Sequence, residues 1–376
     1  LKKIVFVSIG SLEKYLYDAL CIDSFFEEGK EVVYLDLSYW LFGEEKIQKY
    51  DFVTLISSAK EFEDAIKKHV SKETYFNVQI YYESRFYRLF HILTQHNCQL
   101  CRFNIGYLPE VSVQNRAKNY LKSPFDFLRR LYEKTSAFLA LKFKLVNLNF
   151  VFVFAAGRIA RKVGEKQSNS VIDINYIDCE YRKEYILNPR FEYSHYAVFL
   201  DTYLADHEDM DYDPALGKIN ARKYIDALNH FFDMIESELG LEVIIAAHPK
   251  SNYDDNIFKQ RKCIKNETAG LVFNSSLVIS QHSTAISYAV LDKKSITLIY
   301  TSEMEERYQL NIMPFMNVLA NELCIPLINI DTIDNVWVPN VSNDAYDKYK
   351  YDYLTSVQSE HLSNKDIFRK FLRNEI

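Results

Sequence analysis

Two polar turns, each directly after an apolar run, stand between Glu242 and Tyr300. The first is His248-Pro249-Lys250-Ser251, after Val243–Ala247. The second is Gln281-His282-Ser283-Thr284, after Leu277–Ser280 and before the helix-like Ala285–Leu291. A lone carboxylate, Asp201, follows a third apolar run, Tyr196–Leu200. Imidazole, ammonium and hydroxyl groups donate to anions, and a helix start adds free backbone N–H groups, so the two turns suit a phosphate. A carboxylate beside them could take the proton of an attacking hydroxyl, or attack carbon itself. Breaking a sugar–phosphate bond needs these parts, since negative charge collects on the departing phosphate.

Such groups converge only if the runs are parallel strands of one sheet, because ligands of an open α/β sheet bind at its carboxyl edge. The rest of the chain fits that requirement. Ile4–Ser8, Glu31–Leu35, Phe52–Ser57, Val78–Tyr82, Phe150–Phe154 and Val171–Tyr176 read as strands, and Phe103–Tyr107 completes a further βα unit. Helical patterns cover Leu12–Glu28, Glu61–Val70 and Ser84–Gln95. A second series starts at Tyr196 and includes the long amphipathic helix Asn220–Leu239, stopped by Gly240. Strand Ile296–Tyr300, the mainly helical Glu303–Leu323 and strand Pro326–Ile330 follow. The expected class is α/β, with two Rossmann-like doubly wound domains facing a cleft. The expected boundaries are 1–190, 191–335 and a helical tail 336–376 that returns to the first domain, with Tyr181–Phe191 as the link.

Composition narrows the function. A net charge of −6 excludes a nucleic-acid binder working by overall charge. Ser8-Ile9-Gly10-Ser11 is no GxGxxG, so a dinucleotide fingerprint is absent. Six scattered cysteines point to a reducing compartment, and Cys98–Cys101 has no second pair at zinc spacing. Asp209-Met210-Asp211 sits in an acidic loop, and no metal or other cofactor is expected. The 28 Tyr and 26 Phe fit carbohydrate-contacting surfaces and, equally, an AT-rich codon bias. The opening Leu1–Val7 has too short an apolar run for a signal peptide.

The stretch 116–166 carries twelve Lys and Arg against three Asp and Glu. Within it, Ser123–Lys144 reads as a basic amphipathic helix pair with Phe125, Leu128, Leu131 and Tyr132 on one face. It is too interrupted by Lys142 and Lys144 to span a bilayer. It is either a solvated face or a contact with anionic headgroups or an anionic acceptor. The expected location is therefore cytoplasmic, free or on the inner face of the cytoplasmic membrane.

The ordered set Asp201, His248-Pro249 and Ser283-Thr284 resembles the second domain of bacterial GT-B surface-polysaccharide glycosyltransferases. It is most similar to transferases of CMP-activated acidic sugars: sialic, pseudaminic or legionaminic acid, or Kdo. The resemblance implies that His248, Pro249, Lys250, Ser251, His282, Ser283 and Thr284 hold the nucleotide phosphate. It implies Asp201 and His248 as catalytic residues, a CMP-sugar as substrate and a surface glycan as acceptor. The acidic-acidic-Gly motif of sialyltransferases is absent, since Thr202-Tyr203 follows Asp201. CDP-glycerol glycerophosphotransferases share the His-Pro turn and a later Ser pair, but carry Asp where His282 stands. UDP-sugar transferases would use a Glu for the ribose, for which Glu303, Glu305 and Glu306 are candidates. A degenerate, non-catalytic glycan-binding or assembly subunit is the reading from a different class.

Overall fold

The computed structural model describes residues 1–43, 49–109, 124–191, 193–205, 217–254 and 256–376. The chain divides into two compact units. The first holds Leu1–Tyr107, the described part of Ala117–Ile177, and Thr355–Ile376, while the second centres on Asp178–Leu354.

The first unit is built on seven parallel strands: β1 (Lys3–Ser8), β2 (Glu31–Asp36), β3 (Val53–Leu55), β4 (Thr74–Val78), β5 (Gln99–Asn104), β6 (Phe150–Ala156) and β7 (Val171–Ile174). Their order is β3-β2-β1-β4-β5-β6-β7. The second holds six parallel strands: β8 (Tyr196–Leu200), β9 (Glu242–Ala247), β10 (Cys263–Lys265), β11 (Leu277–Ser280), β12 (Ser295–Tyr300) and β13 (Leu327–Asn329). Their order is β10-β9-β8-β11-β12-β13. Helices alternate with strands in both, so each is a doubly wound, Rossmann-like unit of the α/β class. Both faces of these sheets are covered, which is why β8, β9 and β11 read as unbroken apolar runs rather than alternating ones.

Several elements differ from the sequence reading. β4 and β5 lie upstream of the expected Val78–Tyr82 and Phe103–Tyr107. Asn77 and Arg102 interrupt their apolar runs, yet both are buried, so polarity hid the strands. The expected helix Leu12–Glu28 breaks in two at Cys21, which adopts a left-handed φ of 50°. The expected link Tyr181–Phe191 is largely helical. Ile177–Leu187 is a helix of the second unit, anchored by an ion pair from Arg182 to the buried Asp292 and by Tyr185 against Phe273. Ser123–Lys144 is one helix, Pro124–Lys142, not a pair. Its inward residues are the buried Ala140 and half-buried Ser136 and Ala137, whose small size permits close approach, while Leu131 and Tyr132 are exposed.

The tail completes the first core. Helix Asn364–Leu372 carries Phe368, which is fully buried. Its ring stacks on Phe154 at 4.3 Å and meets Phe103 at 5.1 Å and Phe25 at 5.9 Å. Arg369 and Arg373 bind Glu27 and Glu28 at 2.7 Å each, but such exposed pairs contribute little beside the aromatic packing. Phe368→Ala is therefore expected to cost about 3–5 kcal/mol. Urea unfolding of the full chain measures it, and a loss below about 1 kcal/mol would show that the tail is not part of the core.

Candidate functional site

The strand order of the second unit decides which polar residues meet. β8 lies between β9 and β11, with all three parallel. Their carboxyl ends deliver Asp201, His248 and Gln281 to one edge of the sheet. Neighbouring strands are about 4.8 Å apart, so the turns after β9 and β11 begin about 10 Å from each other, with Asp201 between them. β8 and β11 also flank the point where the strand order reverses, the ligand-binding crevice of such sheets.

Asp201 holds this edge together. Its Oδ2 accepts the backbone N–H of His248 at 3.0 Å, and its Oδ1 accepts the N–H of Tyr203 at 2.8 Å. The Tyr253 hydroxyl donates to both oxygens at 3.0 Å. The residue is only 6% exposed. Burial pushes its carboxyl up, and the amides of His248 and Tyr203 pull it back down. Both oxygens accept from donors of its own unit, so the carboxylate ties together the turns after β8 and β9 and positions the residues on them.

Among those it positions is His248. The His248 Nδ1 accepts the backbone N–H of Lys250 at 3.2 Å. This bond makes Nδ1 the acceptor, so in the neutral ring Nε2 carries the proton. The ring is half-buried and lies parallel to Tyr203, 6.3 Å between centroids. Pro249 and Lys250 are exposed on the same turn. Ser251, expected on the phosphate, is 1% exposed, and its hydroxyl donates at 2.7 Å to the His248 carbonyl. It closes the turn, and Lys265 braces the Ser251 carbonyl from β10.

Across Asp201, the turn after β11 presents His282 and Ser283 half-buried and Thr284 exposed. Ser283 Oγ accepts the Ala285 N–H at 3.3 Å, forming a tight turn into helix Ile286–Leu291. That helix has only six residues, so its macrodipole is small.

Sequence reasoning missed the second layer of the site. Gln281 is fully buried, and its Oε1 accepts the hydroxyls of Tyr224 at 2.7 Å and Thr202 at 3.1 Å. Tyr203 has a φ of 52°, strained for a bulky residue and held by its bond to Asp201. Asp-x-Tyr after a strand could have signalled this turn, because Asp side chains commonly bond the amide two residues on. Nothing local marks Tyr253, which reaches Asp201 from 52 residues away.

An open cavity of about 930 Å³ lies at the carboxyl end of β12. Lys218, Lys223, Thr301, Glu303, Glu306 and Arg307 line it; His248 and Ser283 do not. Glu303 is engaged already, accepting the Asn220 N–H at 3.1 Å and Arg307 Nε at 2.9 Å. Among the described residues no group of three His, Cys, Asp or Glu could hold a metal ion. Asp209, Met210 and Asp211 lie outside the described residues. Cys98 and Cys101 are buried free thiols; burial pushes Cys98 up to about 12 and raises Cys101 as well, so neither is a ready thiolate.

No family model matches the chain, and no curated protein matches it. Solved structures are similar in fold across its whole length. The S. aureus MnaA–UDP co-structure is 13% identical, with a TM-score of 0.48, covering 100% of this chain and 98% of that one. The wall teichoic acid polymerase TagF is 12% identical, with a TM-score of 0.49 and coverage of 100% and 90%. The glycotransferase of kitacinnamycin is 11% identical, with a TM-score of 0.47 and coverage of 99% and 95%.

Proposed function

We propose that this chain is a nucleotide-sugar-dependent glycosyltransferase acting on a surface glycan, with the donor phosphate held between the turns after β9 and β11. The observation that carries the reading is the His248 ring. Its Nδ1 accepts the Lys250 amide of its own turn, which orients the imidazole at the carboxyl edge of the sheet, across Asp201 from the Ser283-Thr284 turn. Lys250 supplies charge, and the hydroxyls of Ser283 and Thr284 supply further donors from the facing turn. His282 stands on that same turn. As the bond from the anomeric carbon to the phosphate oxygen breaks, these groups meet the charge that develops on the leaving nucleotide. Asp201 sets the position of His248 through its backbone.

Within this class we favour a CMP-activated acidic sugar, such as a nonulosonic acid or Kdo. The His-Pro turn followed by Ser-Thr supports it. His282 replaces the Asp of the CDP-glycerol pattern. For a UDP-sugar, Glu303 is occupied by Asn220 and Arg307, which leaves Glu306 in the cavity as the ribose candidate. A thermal-shift screen of CMP, CDP and UDP decides among them, because a ligand of the folded state raises the melting temperature. CMP is expected to give the largest shift. A larger response to CDP or UDP replaces the donor assignment, and no response to any nucleotide overturns the transferase reading in favour of a glycan-binding subunit.

We also place the chain at the inner surface of the cytoplasmic membrane. No helix among the described residues is long and apolar enough to cross a membrane. Helix Pro124–Lys142, from its middle onward, and the residues after it expose Tyr132, Phe138, Phe143 and Leu145, interleaved with Lys134, Lys142 and Lys144. Aromatic and basic side chains in such a mixture suit an anionic bilayer surface. The chain is expected to sediment with vesicles containing phosphatidylglycerol and not with pure phosphatidylcholine. Phe138→Ser with Phe143→Ser should reduce the bound fraction severalfold, and equal sedimentation by this variant would exclude the contact.

A further inference from the structure

The first unit buries a positive charge with no counter-charge. Arg102, on β5, is 5% exposed. Its guanidinium donates from Nε to the Val78 carbonyl at 3.3 Å and from Nη2 to the Ile80 carbonyl at 2.6 Å. It lies between two rings, 4.8 Å from the Tyr81 centroid and 4.7 Å from that of Phe150. Among the described residues no carboxylate pairs with it, and burial pulls its pKa down with only the Tyr81 and Tyr107 phenols acting against that. Two residues on, at the end of β5, Asn104 is 3% exposed, and neither its Nδ2 nor its Oδ1 has a hydrogen-bond partner. Residues two apart on a strand share a face, so the two side chains leave the same face of β5 at its carboxyl end.

Both features are costly. An unpaired buried charge destabilises a fold by several kcal/mol, and an unsatisfied buried amide adds about 1–3 kcal/mol. Capping two carbonyls after β4 does not account for the pair. A neutral donor would serve for that, and it leaves Asn104 unexplained. The place is also one where ligands bind: the carboxyl edge of a parallel sheet, under the loop that follows β4. β4 and β1 flank the reversal of strand order in this unit.

We infer that Arg102 and Asn104 form the floor of an anion site in the first unit, for a phosphate or carboxylate group of the acceptor molecule. The site itself stands on the geometry alone; assigning its ligand to the acceptor rests on the glycosyltransferase reading. A guanidinium has N–H groups enough to hold such a group in a fork while still capping the carbonyls, and the Asn104 Nδ2 adds a neighbouring donor. Tyr81, 54% exposed and bonded through its hydroxyl to that of Tyr107 at 3.2 Å, forms the outer wall.

The test titrates the full chain with inorganic phosphate, and separately with acetate, at constant ionic strength, by calorimetry and melting temperature. One of the two is expected to bind and to raise the melting temperature; which of them does so distinguishes a phosphate from a carboxylate ligand. Arg102→Met should weaken that binding at least about tenfold. Should Arg102→Met fail to fold, Asn104→Asp supplies a built-in counter-charge. It is expected to melt higher than the parent without added anion and to lose anion binding. No binding of either anion to the parent overturns the inference, as does unchanged binding in Asn104→Asp or in a folded Arg102→Met. Nucleotide response measured on the same samples separates the two proposals: a retained response with no anion binding sinks only this site. Anion binding without any nucleotide response sinks only the transferase reading, and the assignment to an acceptor with it.

Discussion

Replacing His248 with alanine is expected to lower nucleotide affinity and turnover together, each by about ten- to hundredfold. A hydrogen bond to a charged group contributes about 1.5–3 kcal/mol, and each 1.4 kcal/mol is a factor of about ten. The bond from the Lys250 amide holds the imidazole Nδ1, so the ring is oriented before any ligand arrives and little ordering cost offsets the gain. His248→Gln retains a terminal N–H donor and should recover part of the affinity. Thr284→Ala, which removes one neutral hydroxyl on an exposed position, should cost less than His248→Ala. Calorimetry with the nucleotide chosen by the melting screen measures these effects. Unchanged affinity in His248→Ala would make the ring a purely structural part of the turn.

The second large effect is expected at Asp201, and its pattern matters more than its size. Asparagine keeps the shape but turns one acceptor into a donor. That group would then face the His248 amide, the Tyr203 amide or the Tyr253 hydroxyl, all of which need acceptors. The cost is about 1–3 kcal/mol, partly offset by removal of a buried charge. Because the His248 turn loosens, nucleotide affinity should fall together with turnover and melting temperature. A catalytic base or nucleophile predicts the opposite split, with transfer abolished and both nucleotide binding and melting unchanged. That outcome would return Asp201 to the chemistry and refute the positioning role.

The class of both units was legible in the amino-acid sequence, as were the polar turns at the carboxyl edge of the second. β8, β9, β11 and β12 are legible as contiguous apolar runs because both faces of a parallel sheet are covered, and burial on both faces removes the polar alternation. The polar turns that follow mark the carboxyl edge without any knowledge of packing. Where polar residues are buried inside a strand, the same signal fails. Asn77 in β4 and Arg102 in β5 shifted both strands downstream, because type alone does not reveal that a polar side chain is enclosed.

What each candidate side chain touches was visible only once the chain was folded. Asp201 reads as a reactive carboxylate until Tyr253, 52 residues later, and the His248 amide, 47 later, are found bonded to it. Ser251 reads as a phosphate ligand until its hydroxyl is seen turned back on the His248 carbonyl. Arg102 reads as an interruption until it is found buried beside Asn104 with no carboxylate to pair with it. The physical reason is common to all three. Hydrogen-bond satisfaction and burial are set by neighbours distant in the chain, whereas strand and turn patterns are set by neighbours within a few residues.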